Sequence, residues 1–322
     1  MLGNKPGFAT FWAGSRLPAY EAACLTSYLR HGYAITVYSF GAIAGLPPGV
    51  LLRPASDIVE EHYVSAFLIK DVPSLSHFSD LFRYRMFQRT DEIWVDTDMY
   101  MVRPLPLDLP PTLLAREDQH ALCGAIMRLD RTAPALATLV SRTEAAAGRN
   151  LEWGETGPRL LTSVFGPAVL AKSYGPKLYF PIHYDDFWKV FLPEFRDECE
   201  ALCGDAVTVH LWNNIVTKMG VWKEVMPPEG SYLHALFVRD GMTDLFQATF
   251  PAAEMRHVID NYRMRMSGGF ADVSKLARLA IPSIKRRAIR QFDRVRDHLL
   301  SRIWRTVNRG ATRRPRIMHP QS

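Results

Sequence analysis

The chain has 322 residues, with 48% hydrophobic and 22% charged side chains, which is ordinary for a globular protein with a sizeable core. It contains no run of about 18 apolar residues, and a strand-like stretch begins at Phe8, so we expect neither a membrane-spanning helix nor a signal peptide. The four cysteines lack a zinc-binding spacing, so we expect reduced thiols in a cytoplasmic protein.

The formal net charge of +6 is unevenly distributed along the chain. Residues 270–322 carry 14 basic and 3 acidic side chains, whereas residues 1–269 carry 25 basic and 30 acidic ones. The basic character therefore belongs to the C-terminal tail. We predict a globular domain over residues 1–269 and a separate basic tail over residues 270–322.

The first elements predict the opening of a parallel α/β sheet. Phe8 to Trp12 has the pattern of a buried strand, Tyr20 to Arg30 that of a helix, and Ala34 to Phe40 that of a second strand. A short strand at Val50 to Leu52 follows in a loop rich in Pro and Gly. Trp12 ends the first strand, where ligands bind in open α/β sheets, so it is a candidate binding residue; a core position is the alternative.

A helix is predicted from Ser74 onward, with two distinct faces. One face is an apolar stripe, and the other carries polar groups one turn apart: Phe78, Leu81, Phe82 and Met86 on the first; Asp80, Arg83, Tyr84 and Phe87 on the second. Such an arrangement can direct the Arg83 guanidinium, as a positive group, and the Asp80 carboxylate, as an acceptor for a ribose hydroxyl, into one cleft. The alternative is a plain helical ion pair between Asp80 and Arg83.

The stretch that follows is an apolar strand, Ile93 to Val95, which runs into Asp96 and Asp98. Side chains two apart in an extended segment point to the same side, so we expect the two carboxylates to converge. Hard divalent cations take oxygen ligands, and Mg²⁺ is typically held by one or two carboxylates together with phosphates. The pattern therefore predicts a metal clamp for a nucleotide diphosphate.

Further elements continue the α/β pattern. They are a strand at Leu113 to Ala115, a buried strand or helix at Ala121 to Arg128, and helices at Pro134 to Arg142 and Arg159 to Phe165. Glu155 precedes the last of these helices, and a helix start with free N–H groups favours anionic or hydroxyl-rich ligands. Glu155 is therefore a candidate for contacting a sugar, and a capping carboxylate is the alternative.

The C-terminal part of the domain is predicted to contain a strand and turn at Tyr179 to Tyr184 and the last core strand at Ala206 to Leu211. The latter would deliver His210 and Trp212 to one face of the sheet. His210 is then a candidate third metal ligand beside the Trp212 ring. On spacing alone, an ordinary core or surface histidine is the alternative.

Four stretches in this order resemble glycosyltransferase family 32 and the related α-1,4-glycosyltransferases. They are F-S-D-L-F-R-Y at 78–84, I-W-V-D-T-D at 93–98, E-T-G-P-R-L-L-T at 155–162 and V-H-L-W-N-N at 209–214. The resemblance, of the bacterial type, spans roughly residues 7–225. It implies a GT-A-type fold, a single Rossmann-like mixed sheet flanked by helices, and a catalytic domain at 1–269.

The resemblance also implies roles for the candidate residues. Mn²⁺ or Mg²⁺ would bridge Asp98, His210 and the diphosphate of a nucleotide-sugar, with UDP as the implied nucleotide, and Asp96 would bind the metal or sugar hydroxyls. Residues assigned to the nucleotide-sugar are Trp12, Asp80, Arg83, Tyr84, Asp96 and Trp212, with Asp96, Asp98 and Glu155 assigned to catalysis. The implied reaction is transfer with retention at the anomeric carbon, to a glycan or lipid-linked acceptor in surface polysaccharide or glycolipid synthesis.

Two other classes of function share parts of this pattern. Hydrolases of the haloacid-dehalogenase kind also place D-x-D after an apolar strand, but they require Thr two residues beyond the second Asp, where this chain has Tyr100. A catalytically degenerate sugar-binding or membrane-scaffold protein would not need Asp96, Asp98 and His210 together. Both alternatives therefore fit the sequence less well.

The sequence of the tail predicts a basic amphipathic helical arm over residues 272–309. Its apolar stripe recurs at steps of three and four: Ile284, Ala288, Phe292, Val295, Leu299 and Ile303. Arginines and lysines occupy much of the remaining surface, and basic residues near an anionic leaflet contribute about 1 kcal/mol each. We therefore expect peripheral binding to the cytoplasmic face of a membrane; docking on the catalytic domain or on another subunit is the alternative. Nucleic-acid binding is not expected, because the tail has few aromatic residues.

Overall fold

The computed structural model describes residues 5–267, whose main compact unit ends at Ile259. The strands in chain order are β1 (Phe8–Phe11), β2 (Ile35–Ser39), β3 (Leu51–Pro54), β4 (Leu68–Ile69), β5 (Val72–Pro73), β6 (Ile93–Val95), β7 (Met99–Met101), β8 (Leu113–Arg116), β9 (Leu122–Arg128), β10 (Thr208–His210), β11 (Val225–Met226) and β12 (Ala248–Thr249). The α-helices are α1 (Ala19–Arg30), α2 (Leu75–Arg89), α3 (Pro134–Glu144), α4 (Pro158–Lys172), α5 (Pro176–Tyr179), α6 (Arg196–Leu202), α7 (Asn213–Met219), α8 (Tyr232–Arg239) and α9 (Ala252–Met266).

The central feature is a six-stranded mixed sheet with the strand order β3-β2-β1-β6-β9-β8. Strands β3, β2, β1 and β6 run parallel, whereas β9 is antiparallel to both β6 and β8. The carboxyl ends of the four parallel strands therefore meet at one edge of the sheet, and the start of β9 lies at the same edge. This is the edge at which open α/β sheets bind ligands.

Helices cover both faces of this sheet, and the alternation of side chains along the strands explains why. Phe8 of β1 packs with α1 on one face, while Ala9 and Phe11 pack with α2 on the other. Every residue of β1 and β2 is buried, as expected for parallel strands with a helical layer on each side. The predicted mixed α/β sheet flanked by helices is confirmed.

One predicted strand is absent, and another lies outside the central sheet. The segment 179–184 is not a strand: α5 ends at Tyr179, and Pro181 has no N–H for a ladder. The predicted last core strand forms and is buried, but it is not part of the six-stranded sheet. Its residues 208–210 form β10, which pairs antiparallel with β7 in a separate two-stranded sheet.

Helix α4 contains a break that the sequence places correctly. The predicted helix ends at Phe165, and in the structure Gly166 has a φ of +74°, which interrupts helical geometry before Pro167 starts a second segment. All four cysteines are buried free thiols. Between residues 5 and 267, no helix has the length and hydropathy that a bilayer crossing requires. The predicted basic arm at 272–309 lies outside the described residues.

Candidate metal centre

Asp96 and Asp98 converge, but not through an extended strand. Strand β6 ends at Val95, and the N–H of Met99 donates to the carbonyl of Asp96 over 3.1 Å, which closes a tight turn between β6 and β7. The N–H of Asp96 donates to the Ala125 carbonyl of β9 over 2.8 Å and fixes the start of this turn. The prediction of convergence is therefore correct, whereas its geometric reason is wrong.

His210 joins the two carboxylates through the pairing of β7 and β10. His210 lies directly opposite Met99 in this ladder, one residue from the turn. Its Nε2 atom lies 3.2 Å from Oδ2 of Asp98. Ligand atoms of Asp96, Asp98 and His210 all lie within 4.8 Å of one another. Two carboxylates and an imidazole at this spacing fit a divalent cation such as Mn²⁺ or Mg²⁺.

Asp98 and His210 shift each other's pKa. Burial raises the pKa of Asp98, but the charge and hydrogen bond of His210 and the N–H of Asn213 outweigh burial and leave this pKa lowered. Burial lowers the pKa of His210, but Asp98, followed by Asp96 and Glu117, leaves it raised overall. Both shifts favour the pairing of a carboxylate with an imidazolium, and a cation that binds to Nε2 must displace any proton held there. Nδ1 of His210 is buried without a hydrogen-bond partner among the described residues.

Asp96 is oriented by Trp94 and Arg83. The indole N–H of Trp94 donates to Oδ1 of Asp96 over 2.7 Å, and Nη2 of Arg83 lies 3.4 Å from the same oxygen. The described contacts of the Asp96 carboxylate thus fall on Oδ1, which leaves Oδ2 for a cation. The side chain of Asp96 is 31% exposed, so a ligand in the cleft can reach it.

Arg83 and Asp80 form a buried network beside the metal centre. Arg83 donates to the Gly124 carbonyl over 2.5 Å, and its Nη2 lies 3.5 Å from Oδ1 of Asp80. The hydroxyl of Thr156 donates to Oδ2 of Asp80 over 2.8 Å. Burial raises the pKa of Asp80, and Arg83 and Thr156 only partly oppose this. Arg83 therefore contacts Gly124, Asp80 and Asp96. The ion pair between Arg83 and Asp80, which the sequence analysis gives as the alternative, is present in the structure.

Tyr84 and Glu155 contact parts of the protein rather than the metal centre. Tyr84 is fully buried, and its hydroxyl donates to the Thr156 carbonyl over 2.9 Å. The Glu155 carboxylate accepts from the Glu152 N–H over 3.0 Å and from Arg149 over 3.3 Å, so it closes its own loop. In the 155–158 stretch, Thr156 is the residue that the fold brings to Asp80.

The two predicted tryptophans occupy different positions. The Trp212 ring packs against His210 with ring centroids 3.9 Å apart, and its indole N–H donates to the Ile182 carbonyl over 3.2 Å. Trp212 therefore lies beside the metal centre. Trp12 follows β1 at the ligand-binding edge of the sheet, is partly buried, and donates its indole N–H to the Arg16 carbonyl over 3.1 Å.

Sequence reasoning missed three residues around this centre. The N–H of Asn213 donates to Oδ2 of Asp98 over 2.6 Å, Thr156 binds Asp80, and Glu117 follows β8 near His210. Burial raises the pKa of Glu117, and the His210 charge opposes this. Asn213 follows Trp212 and Thr156 follows Glu155, and both lie inside the motifs quoted above. Their positions in these motifs were the sequence signal that could have identified them.

Comparison with known proteins gives sequence matches to one kind of enzyme. No family model matches the chain. It is 29% identical over 185 residues to mouse (Mus musculus) lactosylceramide 4-alpha-galactosyltransferase, covering 52% of this chain and 51% of the relative. The human (Homo sapiens) protein of the same name is 26% identical over 147 residues, covering 42% and 41%. The chain therefore spans about half the length, or less, of these curated relatives.

Two solved structures are also similar to the chain. The apo structure of WbbM, a bifunctional glycosyltransferase, gives a TM-score of 0.47 at 14% identity, covering 80% of this chain and 52% of that one. The glycosyltransferase GlyE of Streptococcus pneumoniae TIGR4 gives a TM-score of 0.36 at 13% identity, covering 80% and 64%. The sequence matches confirm the resemblance that the four motifs indicate: this chain is similar to the α-1,4-glycosyltransferases.

Proposed function

We propose that the chain is a metal-dependent glycosyltransferase that transfers a sugar from a nucleotide-diphospho-sugar to a glycan or lipid-linked acceptor. The observation that carries the proposal is the cluster of Asp96, Asp98 and His210 beside the carboxyl ends of the parallel strands of the mixed sheet. The sequence similarity to 4-alpha-galactosyltransferases supports the same class of reaction. We place the protein in surface polysaccharide or glycolipid synthesis, with retention at the anomeric carbon.

The side chains of the cluster would hold the cation and the donor together. When bound, Mn²⁺ or Mg²⁺ would stabilise the negative charge that develops on the diphosphate leaving group. Asp98 and His210 would bind this cation, and Asp96 would offer its free oxygen to the cation or to a sugar hydroxyl. Arg83 would keep Asp96 in place: its Nη2 atom lies 3.4 Å from Oδ1 of Asp96 and 3.5 Å from Oδ1 of Asp80.

Aromatic and polar side chains around the cluster would contact the nucleotide-sugar. The Trp212 ring, packed against His210, would cover the pyrophosphate, and Trp12 follows β1 at the ligand-binding edge of the sheet. Asp80, bonded to Thr156 and paired with Arg83, would contact the donor on that side of the cluster, and Glu155 lies next to Thr156 in the chain. The relatives are named for galactose transfer to lactosylceramide, so UDP-galactose is the first donor to test.

The experiment is a screen of UDP-sugars for slow hydrolysis by the full chain with Mn²⁺. We expect one UDP-sugar to be hydrolysed, with loss of turnover after addition of chelator and in Asp98→Asn. Asp91→Asn is the matched control, because Asp91 is exposed and pairs with Arg131 on the surface. Turnover that persists in Asp98→Asn, or that ignores the chelator, would refute the metal assignment.

We further propose that the protein works on the cytoplasmic face of a membrane, held by the basic arm at 272–309. The support is the sequence of the arm, an apolar stripe with arginines on the remaining surface. A lipid-linked acceptor would be reached from such a position. Full-length protein should co-sediment with anionic liposomes at low salt, and a chain that ends at Gly269 should not. Equal co-sedimentation of both would exclude this role for the arm.

A further inference from the structure

Helix α1 carries a buried carboxylate that neither the motifs nor the metal cluster accounts for. Glu21 is only 1% exposed. Its Oε1 atom accepts from Nδ2 of Asn213 over 2.8 Å and from Nζ of Lys223 over 2.6 Å. Its Oε2 atom is buried and has no hydrogen-bond partner among the described residues. An ionised carboxylate in such a place is costly unless it is paired, which Lys223 achieves here.

Asn213 connects this ion pair to the metal cluster. While its side chain binds Glu21, its backbone N–H donates to Oδ2 of Asp98 over 2.6 Å. The same oxygen faces Nε2 of His210 at 3.2 Å. One residue therefore links a carboxylate on α1 to the proposed metal ligand Asp98. Contacts of this kind, behind the ligands, orient metal-binding side chains.

The backbone at Asn213 needs such support. The preceding residue, Trp212, has a φ of +52° and a ψ of +53°, the left-handed region that side chains with a Cβ rarely adopt. Strained conformations of this kind persist only when the surrounding contacts hold them. The left-handed turn is what carries the chain from His210 in β10 into α7, whose first residue is Asn213. The side-chain bond from Asn213 to Glu21 fixes this turn from the α1 side.

We infer that Glu21, held by Lys223, is a positioning residue that sets the divalent-cation affinity of the metal cluster through Asn213. The inference rests on the proposed function, because it takes Asp98 as a metal ligand. Lys223 neutralises Glu21, so the carboxylate acts by holding Asn213 and not by attracting the cation itself. The side chain of Lys223 is 15% exposed and that of Glu21 is 1% exposed, so the pair is largely shielded from solvent.

The test is Mn²⁺ binding to the full chain without donor or acceptor, followed by the electron paramagnetic resonance signal of free Mn²⁺. Glu21→Ala should bind Mn²⁺ about tenfold more weakly than the wild type, because the residue that supports Asp98, Asn213, loses its side-chain hydrogen bond. Glu21→Gln should lose much less than tenfold, because both hydrogen bonds fall on one oxygen that an amide retains. Asn213→Ala should match Glu21→Ala, and the double variant should bind no more weakly than either single variant.

Glu92 provides a matched control at the other end of β6. Its carboxylate accepts from Thr36 over 2.8 Å and from Tyr38 over 3.0 Å, so it also bonds twice, but away from the cluster. Glu92→Ala should leave Mn²⁺ binding unchanged. Circular dichroism checks the fold of each variant; if Glu21→Ala does not fold, the Asn213→Ala comparison decides.

The outcomes separate this inference from the proposed function. If Asp98→Asn binds Mn²⁺ as the wild type does, the proposed metal centre is wrong, and the inference is wrong with it. If Asp98→Asn abolishes binding while Asn213→Ala and Glu21→Ala bind normally, only the inference is wrong. Equal losses in Glu21→Gln and Glu21→Ala would also overturn it, because charge and not position would then control affinity.

Discussion

Arg83→Met should destabilise the protein far more than a similar change two residues later. The Arg83 guanidinium lies 3.5 Å from Asp80 and 3.4 Å from Asp96, and the side chains of Arg83 and Asp80 are only 7% and 10% exposed. Methionine keeps most of the apolar stem but leaves the Asp80 carboxylate buried without its cation. Removing one partner of a buried ion pair costs about 3–5 kcal/mol.

Arg85→Met is the control for this change on the same helix. Arg85 pairs with Glu144, but these side chains are 21% and 32% exposed, so solvent screens the pair. We expect a loss of at most about 1 kcal/mol. The free energy of unfolding is measured by urea denaturation at pH 7, with the slope required to be unchanged. Similar losses in the two variants would refute the reasoning. Asp80→Asn added to Arg83→Met should recover part of the loss, because it removes the bare carboxylate.

Three further outcomes follow from the metal centre and its supports. Asp98→Asn should abolish the Mn²⁺-dependent part of UDP binding in calorimetry, and equal UDP affinity of the wild type with and without chelator would contradict this. Because Asp98 holds the pKa of His210 above its ordinary value, Mn²⁺ affinity should fall as the pH drops through that raised pKa; metal titrations over pH should show this slope, and His210→Ala should flatten it. Gly124→Ala should lower the free energy of unfolding by about 1–3 kcal/mol, because its methyl group would overlap the Arg83 guanidinium, whereas Gly41→Ala, with nothing within 4 Å of the added methyl, should be nearly neutral in thermal melts.

The local patterns predicted most of the elements because burial in this fold follows the chain closely. Strands β1 and β2 are buried on both faces, and α2 buries Phe78 on its predicted apolar face. Arg83 and Tyr84, on the face that was predicted to line a cleft, are buried as well. The stretch at 121–128, which periodicity left open between helix and strand, is β9. Sequence periodicity cannot separate the two for a short apolar run, and only pairing with β6 and β8 decides it.

Other features depend on contacts between distant parts of the chain, so no local pattern contains them. The pairing of β10 with β7 joins two segments that lie far apart in the sequence. Thr156 binds Asp80, whereas its neighbour Glu155 does not. Which of these two adjacent residues reaches Asp80 depends on how the start of α4 packs against α2. The left-handed conformation of Trp212 has no Gly or Asn to announce it.

The hydroxyl of Tyr100 donates to Asp240 over 2.5 Å. This hydrogen bond limits how far the chain can be truncated at its C-terminal end without loss of function. Tyr100 lies in β7, the partner strand of His210, and its ring also packs against Phe237 of α8. The family resemblance ends near residue 225, yet β7 relies on residues beyond that point. A chain truncated there would keep all the sequence motifs and lose the residues that brace β7. The minimal unit for crystallisation or enzyme assays should therefore extend past Phe246, whose ring stacks on Phe237.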